Sequence, residues 1–198
     1  MKKLVIASNN AGKLAEFQTL LAPLGIEVVT QAELGIKEAE EPHITFVENA
    51  LAKARHASRE SGLPALADDS GICVDALKGL PGVISARFSG LPRSDERNNQ
   101  ALLQALQTHD KRAAHYYCVL VFVRWAGDAQ PIIAEGEWHG EIAREARGAG
   151  GFGYDPYFWL PELGKMSAEL THDEKHAISH RGKAMKVLLE KLKSSGIE

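Results

Sequence analysis

The segment that follows the first apolar run carries residue types that can hold an anion. It reads Ser8-Asn9-Asn10-Ala11-Gly12-Lys13, and a helical pattern begins within it. Backbone N–H groups at a helix start attract negative charge, and a glycine there lets a ligand approach closely. Lys13 opposes the helix dipole unless an anion lies in front of it. The segment predicts either a phosphate loop or a simple cap by Asn9 or Asn10 with Lys13 in solvent, and it lacks the Walker A pattern.

Carboxylates occur in two groups along the first third of the chain. Glu38, Glu40 and Glu41 precede the second helical pattern, whereas Asp68 and Asp69 end a strand-like run beside a glycine turn. Magnesium prefers one or two carboxylates together with phosphate oxygens and water. In an extended strand the two aspartates point to opposite faces, so we expect only one to face a site. The alternatives are a solvated loop for the glutamates and a turn with a salt bridge for the aspartates.

Further candidates lie at helical spacing. Asn49 and Lys53 fall opposite the apolar stripe of the second helical segment, where Lys53 could reach a phosphate, although a lysine there is typically a solvated surface residue. His172, His176 and His180 recur every four residues near the C-terminus. Because no H-E-x-x-H arrangement accompanies them, this spacing favours an exposed polar face over a metal site.

A glycine-dense segment, Gly148 to Pro156, contains two aromatic residues. Phe152 and Tyr154 stand in a turn that is otherwise small or polar. A flexible backbone with aromatic side chains can wrap a nucleobase, and one ring can stack on it. An ordinary loop would share the glycines but not the aromatic residues.

The elements that must position these segments alternate along the chain. The patterns predict strands at Lys2–Ala7, Val28–Val29, Pro64–Ala67, Ile72–Leu77, His115–Trp125 and Pro131–Trp138. They predict helices at Ala11–Leu24, from Thr45 to Gly62, from Ser94 to Gln107, and from Thr171 to Lys193, with T-x-x-E capping boxes at Thr45 and Thr171. Because helices and strands interleave while the late strands come in succession, we expect an α/β fold with a mixed sheet.

Composition limits the classes of protein that this chain can represent. Its 198 residues suffice for a single domain, 1–198, with a substantial core. A formal net charge of −3 gives no general attraction to nucleic acid, so bound phosphate needs local cations or a metal. The run Leu4–Ala7 is too short for a signal peptide or a membrane span. Cys73 and Cys118 lie in apolar runs, which indicates buried free thiols in a reducing cytosol.

Six motifs, in chain order, form a recognisable set. They are Ser8-Asn9-Asn10 with Lys13, Thr45 to Ala54, Ala67 to Gly71, Gly79 to Arg87, Gly150 to Pro156, and Glu174 to Gly182. Each motif alone is weak, but the ordered set covers nearly the whole chain and is specific. In this order the motifs resemble the inosine triphosphate pyrophosphatase family, also called XTP/dITP diphosphatases.

The resemblance implies a fold, an activity and a cofactor. The implied fold is an elongated mixed β-sheet with flanking helices and two lobes around a central active-site cleft, in a cytoplasmic homodimer. The implied reaction is Mg²⁺-dependent hydrolysis of deaminated purine nucleoside triphosphates (ITP, dITP, XTP) to the monophosphate and pyrophosphate. A purine nucleoside triphosphate is then the expected partner, and neither nucleic acid nor a membrane is.

The resemblance also implies roles for individual residues. Asp69 is the expected catalytic base and metal ligand, and Glu40 or Glu41 is the expected second ligand. Expected phosphate contacts are Ser8, Asn9, Asn10, Ala11, Gly12, Lys13, Lys53 and Ser70. Expected nucleoside contacts are Phe152, Gly153, Tyr154, Asp155, Lys175, His180 and Arg181.

Two other functions compete with this expectation. One is a Maf-like pyrophosphatase for pyrimidine or modified nucleotides, against which the segments Phe152–Asp155 and His180-Arg181 argue. The other is a non-catalytic nucleotide-binding or sensor protein, which would not explain Asp69 beside a polyphosphate loop. Release of pyrophosphate separates an enzyme from a sensor.

Overall fold

The structure is a computed structural model that describes residues 3–22 and 25–196. Lys2 and Leu24, which the sequence patterns assign to the first strand and the first helix, lie outside the described residues. Within those ranges, no helix is long and apolar enough to cross a membrane.

Within the described residues, seven strands form one sheet in the order β2-β1-β3-β4-β5-β6-β7. They are β1 (Lys3–Ile6), β2 (Glu27–Thr30), β3 (Ala65–Val74), β4 (Ala113–Val123), β5 (Ile132–Ile142), β6 (Phe158–Leu160) and β7 (Lys165–Met166). Strand β1 pairs in parallel with β2 and β3, whereas β6 pairs antiparallel with β5 and β7. The predicted α/β fold with a mixed sheet is therefore confirmed.

Except for the last, the helices of the described residues begin where the sequence placed their caps. They are α1 (Ala11–Leu21), α2 (Phe46–Ser61), α3 (Asp95–Ala105), α4 (His172–Ile178) and α5 (His180–Ser194). The Thr171 hydroxyl accepts from the Glu174 N–H, and the Glu174 carboxylate accepts from the Thr171 N–H, which confirms that capping box. At α2 the Thr45 hydroxyl accepts from the Glu48 N–H and donates to the Glu48 carboxylate.

The chain divides into two compact units, each with its own hydrophobic core. The first comprises Met1–Asp69, Cys118–Gly136 and Lys183–Glu198, and the second Ser70–Tyr117 and Glu137–Gly182. The core of the first unit is built from Leu4, Ile6, Phe17, Leu21, Leu66, Leu120, Phe122 and Leu188, among others. The core of the second includes Ile72, Leu102, Leu106, Tyr116, Trp138, Tyr154 and Phe158.

The predicted turn at Asp68–Gly71, with separate strands on either side, is wrong. Strand β3 runs through this segment for ten residues without interruption, and Asp75–Leu77 forms a 3₁₀ turn. Gly71 permits a close approach instead of a turn, because a Cβ atom there would lie 2.3 Å from the Gly82 carbonyl oxygen and 2.5 Å from the Ser85 Oγ atom.

The prediction of one continuous C-terminal helix is also wrong. Helix α4 ends at Ile178, and Ser179 has an extended conformation with φ −67° and ψ 160°. The Ser179 hydroxyl accepts from the Gly182 N–H at 3.1 Å, as a helix-capping serine does. Because α5 starts at His180, this histidine does not continue the helical spacing of His172 and His176. It is buried, so the predicted exposed polar face does not include it.

The close approach at Gly71 leads to a stability prediction. We expect Gly71→Ala to lower the free energy of unfolding by about 1–3 kcal/mol, because the methyl group must displace backbone atoms of a packed neighbour. Gly127→Ala is the matched control, since its Cβ atom would have no neighbour closer than 3.7 Å. Urea unfolding followed by circular dichroism measures both variants. Equal midpoints for the two would contradict this account of the glycine.

Candidate active site

The anion segment of the first unit is held by side chain–backbone hydrogen bonds. The Asn10 side chain caps α1 by accepting from the Lys13 N–H at 3.1 Å, and the Ser8 hydroxyl accepts from the Asn10 N–H at 3.2 Å. The Asn9 amide oxygen accepts from the amide of Gln31 at 3.1 Å, a contact that the sequence patterns did not reveal. Residues 9–12 are exposed, so the predicted cap is confirmed and the loop surface is accessible to an anion.

The capping alternative predicted that Lys13 points into solvent, and the structure shows that it does not. Its ammonium group lies 2.7 Å from the carboxylate of Asp68, whose side chain is only 1% exposed. The two residues meet because β1 and β3 run parallel with Ile6 opposite Leu66, which places the segment after β1 beside the part of β3 that contains Asp68.

Lys53 of α2 is likewise not a solvated surface residue. Its ammonium group lies 2.7 Å from the Glu41 carboxylate and 3.3 Å from that of Asp69. Glu41 is half-buried at this contact, whereas Glu38 and Glu40 are exposed. The structure therefore brings Glu41, and not its two acidic neighbours, to the aspartates of β3.

Electrostatics make this cluster a place where an extra positive charge is favourable. Burial raises the pKa of Asp69 above its usual value; Lys53 and Lys13 oppose this shift, and Glu41 and Asp68 add to it. Burial alone would lower the pKa of Lys53, but the charges of Asp69, Asp68 and Glu41 outweigh it and raise that pKa. Three carboxylates thus face two ammonium groups.

The donor set fits a magnesium ion. The Asp69 Oδ2 atom is buried and has no hydrogen-bond partner among the described residues. A buried acceptor of this kind is costly unless a ligand satisfies it. Across residues 3–22 and 25–196, no three His, Cys, Asp or Glu side chains converge as a complete ligand set. One or two carboxylates completed by phosphate oxygens and water are what Mg²⁺ prefers.

A buried asparagine holds the segment that carries Glu41. The Asn49 side-chain oxygen accepts from the His43 N–H at 3.0 Å, and its amide nitrogen donates to the His43 carbonyl at 3.1 Å. Asn49 is fully buried, so its predicted place on the polar side of α2 is wrong. The sequence signal that could have indicated its burial is an asparagine adjacent to the alanines on the buried face of this helix.

In the second unit, Asp155 is the centre of a buried polar network. Its carboxylate accepts from the Phe152 N–H at 2.8 Å, from the Ser167 hydroxyl at 2.9 Å, and from the Lys175 ammonium group. The Tyr116 hydroxyl also donates to it at 3.4 Å. Ser167 and Tyr116 were not among the predicted site residues, and only the packing of their elements brings them here.

The two aromatic residues of the glycine-dense loop have different environments. Phe152 is 41% exposed, and the Lys175 ammonium group lies 4.9 Å from its ring centroid. Tyr154 is buried, and its hydroxyl donates to the Ser85 carbonyl at 2.7 Å. Only the Phe152 ring is therefore open to stack on a ligand, while Tyr154 anchors the loop from beneath.

His180 and Arg181 are buried at the start of α5. The His180 ring is stacked on that of Tyr116, with centroids 4.8 Å apart and an interplanar angle of 10°. The Arg181 guanidinium donates to the Ser70 hydroxyl at 3.2 Å. These contacts place His180 against β4 and Arg181 against Ser70 of β3, the residue that follows Asp69 in the chain.

Fold and site together define an α/β protein with a buried carboxylate–lysine cluster that suits phosphate and a divalent metal. A family model described as the Ham1 family matches residues 4–191, so the chain belongs to the Ham1 family. It is 67% identical over 192 residues to a dITP/XTP pyrophosphatase of Nitrosomonas europaea, covering 97% of this chain and 95% of that protein. A dITP/XTP pyrophosphatase of Ralstonia nicotianae is 64% identical over 196 residues, 98% of each chain.

Solved structures agree with this assignment. A HAM1 protein of Coxiella burnetii superimposes with a TM-score of 0.93 at 47% identity, over 98% of this chain and 100% of that one. The Ham1 protein of Staphylococcus aureus gives a TM-score of 0.89 at 38% identity, with the same coverage. The family resemblance found in the sequence motifs is confirmed, and the Maf-like alternative is set aside.

The environment of Asp69 predicts a variant that is more stable than the wild type. Because its pKa is raised on folding, the folded state holds a proton at this carboxyl more tightly than the unfolded chain does. The ionised carboxylate therefore reduces stability above about pH 4, and the reduction vanishes below that value. We expect Asp69→Asn to raise the free energy of unfolding at about pH 7 and to have little effect at about pH 3.

Chemical unfolding at both pH values measures this difference. Asp110→Asn is the control. The Asp110 side chain is fully exposed, so this substitution removes the same charge from the protein surface. A less stable Asp69→Asn protein at neutral pH would show that the ionised carboxylate stabilises the fold, contrary to the inference.

Proposed function

We propose that this chain hydrolyses deaminated purine nucleoside triphosphates, namely ITP, dITP and XTP, to the monophosphate and pyrophosphate. The observation that carries the proposal is the buried Asp69 carboxylate, with one oxygen lacking a hydrogen-bond partner among the described residues and two lysines nearby. Membership of the Ham1 family and relatives named dITP/XTP pyrophosphatases supply the substrate class.

In this scheme, groups around β1, α1, α2 and β3 bind the triphosphate and activate water. Lys13, Lys53 and the loop Ser8-Asn9-Asn10-Ala11-Gly12 neutralise and orient the phosphates, with Ser70 as a further contact. Asp69 orients a water molecule in line with the α-phosphorus and accepts its proton as the oxygen–phosphorus bond forms. The bond between the α-phosphorus and the bridging oxygen breaks, and pyrophosphate leaves.

Asp69 and Glu41 would hold Mg²⁺ in this scheme. Glu41 is favoured over Glu40 because it lies at the Lys53–Asp69 contact, whereas Glu40 is exposed. When bound, Mg²⁺ supplies charge compensation to the phosphate oxygens. Asn49 positions Glu41 indirectly, because it fixes the backbone two residues further along at His43.

Residues of the glycine-dense loop and of the start of α5 supply recognition of the base in this scheme. Hypoxanthine and xanthine present an acceptor at C6 and a donor at N1, and adenine presents the reverse. Donors aimed at C6 would therefore be left unpaired against adenine, which is costly. His180 and Arg181 provide such donors, and the exposed Phe152 ring provides a stacking face. Asp155 and Lys175 hold the loop that carries this ring, and Gly153 belongs to it.

We further propose that residues 1–198 act as one catalytic domain in a cytoplasmic homodimer, without nucleic acid or membrane partners. The family resemblance supports the dimer. The net charge of −3 supports the absence of a nucleic-acid partner, and the thiols of Cys73 and Cys118 suit a reducing compartment.

A nucleotide panel tests the proposed function. We expect wild-type kcat/KM for ITP and XTP to exceed that for ATP and GTP by about 100-fold or more, with IMP and pyrophosphate as the products of ITP. Asp69→Asn should lower turnover by about 100-fold or more, because it removes a metal ligand and base together. Asp68→Asn should act more mildly, since that carboxylate is engaged by Lys13.

Ion-exchange separation of the products, with kcat/KM for four nucleotides, decides between outcomes. Stoichiometric IDP would disprove attack at the α-phosphorus. Comparable turnover of ATP and ITP would disprove the specificity even if the metal site is correct. A larger loss in Asp68→Asn than in Asp69→Asn would reverse the assignment of the catalytic carboxylate.

The choice of Glu41 as metal ligand predicts a difference between two adjacent glutamates. Glu41→Gln should raise the Mg²⁺ concentration for half-maximal activity by about tenfold or more, because a charged ligand is lost. Glu40→Gln is the matched control and should leave that concentration unchanged. Magnesium titrations at fixed ITP, together with calorimetric Mg²⁺ binding, give the comparison; the opposite order would identify Glu40 as the ligand.

A further inference from the structure

Helix α3 contributes no residue to the proposed chemistry, yet two of its side chains hold one residue of the base-recognition loop. The Asp95 carboxylate accepts from the Gly153 N–H at 2.7 Å, and the Asn99 amide nitrogen donates to the Gly153 carbonyl at 2.9 Å. Both backbone polar groups of Gly153 are thus bound to the same helix. Asp95 and Asn99 are four residues apart, so they project from one face of α3.

The orientation of the Asn99 amide is determined by its partners. The same amide nitrogen also donates to the Asp95 carbonyl at 2.9 Å, and Asn99 is only 8% exposed. A flipped amide would direct its oxygen at two carbonyl oxygens, which is repulsive. Asn99 therefore serves as a donor, and it does so away from competing water.

This contact adds a restraint at Gly153 to a glycine-rich loop that is otherwise held through Phe152, Tyr154 and Gly150. Gly148, Gly150, Gly151 and Gly153 leave the loop with great conformational freedom, and Gly153 has φ +64°, the left-handed region. A glycine loop without fixed hydrogen bonds would sample many positions, and ordering it on substrate binding would weaken affinity.

Two carboxylates engage two successive N–H groups of this loop. Asp155 accepts from the Phe152 N–H at 2.8 Å, and Asp95 accepts from the Gly153 N–H at 2.7 Å. The position of the exposed Phe152 ring depends on both bonds, because they fix the backbone on either side of its Cα atom. Asp155 is buried beneath the loop, whereas Asp95 comes from the separate helix α3.

We propose that Asp95 and Asn99 are positioning residues for base recognition, which act by holding Gly153 so that Phe152 is pre-organised to stack on the base. The inference rests on the proposed function for the identity of the ligand. It assigns to α3 a role in specificity that neither residue's type nor its sequence motif indicates.

The neighbouring Asn98 offers a matched comparison. It is buried to a similar degree, and its amide joins α3 to a different segment: its oxygen accepts from the Ser89 N–H at 2.8 Å, and its nitrogen donates to the Ala86 carbonyl at 3.1 Å. Asn98→Ala and Asn99→Ala each remove buried hydrogen bonds between a side chain of α3 and the backbone of another segment. Only Asn99→Ala removes the hydrogen bond to Gly153.

The experiment compares variants of α3 with ITP as substrate and inorganic tripolyphosphate as a base-free inhibitor. Asn99→Ala and Asp95→Ala should raise the KM for ITP by about tenfold, because the base platform is displaced, while the inhibition constant of tripolyphosphate is unchanged. Asp95→Asn should restore wild-type KM, since its amide oxygen still accepts from Gly153. Glu96→Ala, the charge-matched control in the same helical turn, should have no effect.

Hydrogen exchange measured by mass spectrometry reports on the loop without turnover. Peptides covering residues 148–156 should exchange faster in Asn99→Ala and Asp95→Ala than in Asn98→Ala or Glu96→Ala. Equal KM increases in Asn98→Ala and Asn99→Ala, or unchanged exchange in the loop, would overturn the proposal. If the wild type does not hydrolyse ITP, the proposed function fails, and the exchange experiment still decides whether Asp95 and Asn99 restrain the loop.

Discussion

The contact between Asp69 and Lys53 is the interaction on which the rest of the site depends. A carboxylate buried in a strand is costly unless it has compensating charge, and here two lysines compensate three carboxylates only in part. The parallel pairing of β1 with β3 and the packing of α2 bring these groups together. The residual negative charge is a cost in stability that a divalent cation would relieve, as is common where function requires a strained site.

Buried side-chain amides complete the arrangement by holding irregular segments in place. Asn49 binds both backbone polar groups of His43 and so supports the acidic segment, while Asn99 binds the Gly153 carbonyl in the glycine-dense loop. An amide suits this task because it combines a donor and an acceptor without a charge that must be neutralised. Loops that carry function can therefore be exposed at their tips and still have a defined backbone.

The break between α4 and α5 has a comparable effect on the placement of His180 and Arg181. A continuous helix would have left His180 on the face that carries His172 and His176. The extended conformation at Ser179 redirects the chain, so that His180 stacks on Tyr116 and Arg181 reaches Ser70. Short-range hydrogen bonds within the segment and aromatic packing beyond it together fix this geometry.

The sequence by itself determined the α/β class, the helix caps other than that of α5, the family and the principal candidate residues, because these depend on local periodicity and on ordered motifs. Tertiary structure alone decided which groups meet: that Glu41 and not Glu40 lies beside Asp69, that Tyr154 is buried while Phe152 is exposed, and that Asn99 holds Gly153. Those contacts join residues that are distant in the chain. Likewise, Gly71 indicated a turn from the sequence, whereas in the structure it allows the close approach of Ser85. Local patterns carry no information about such neighbours, because they are created only when strands and helices pack.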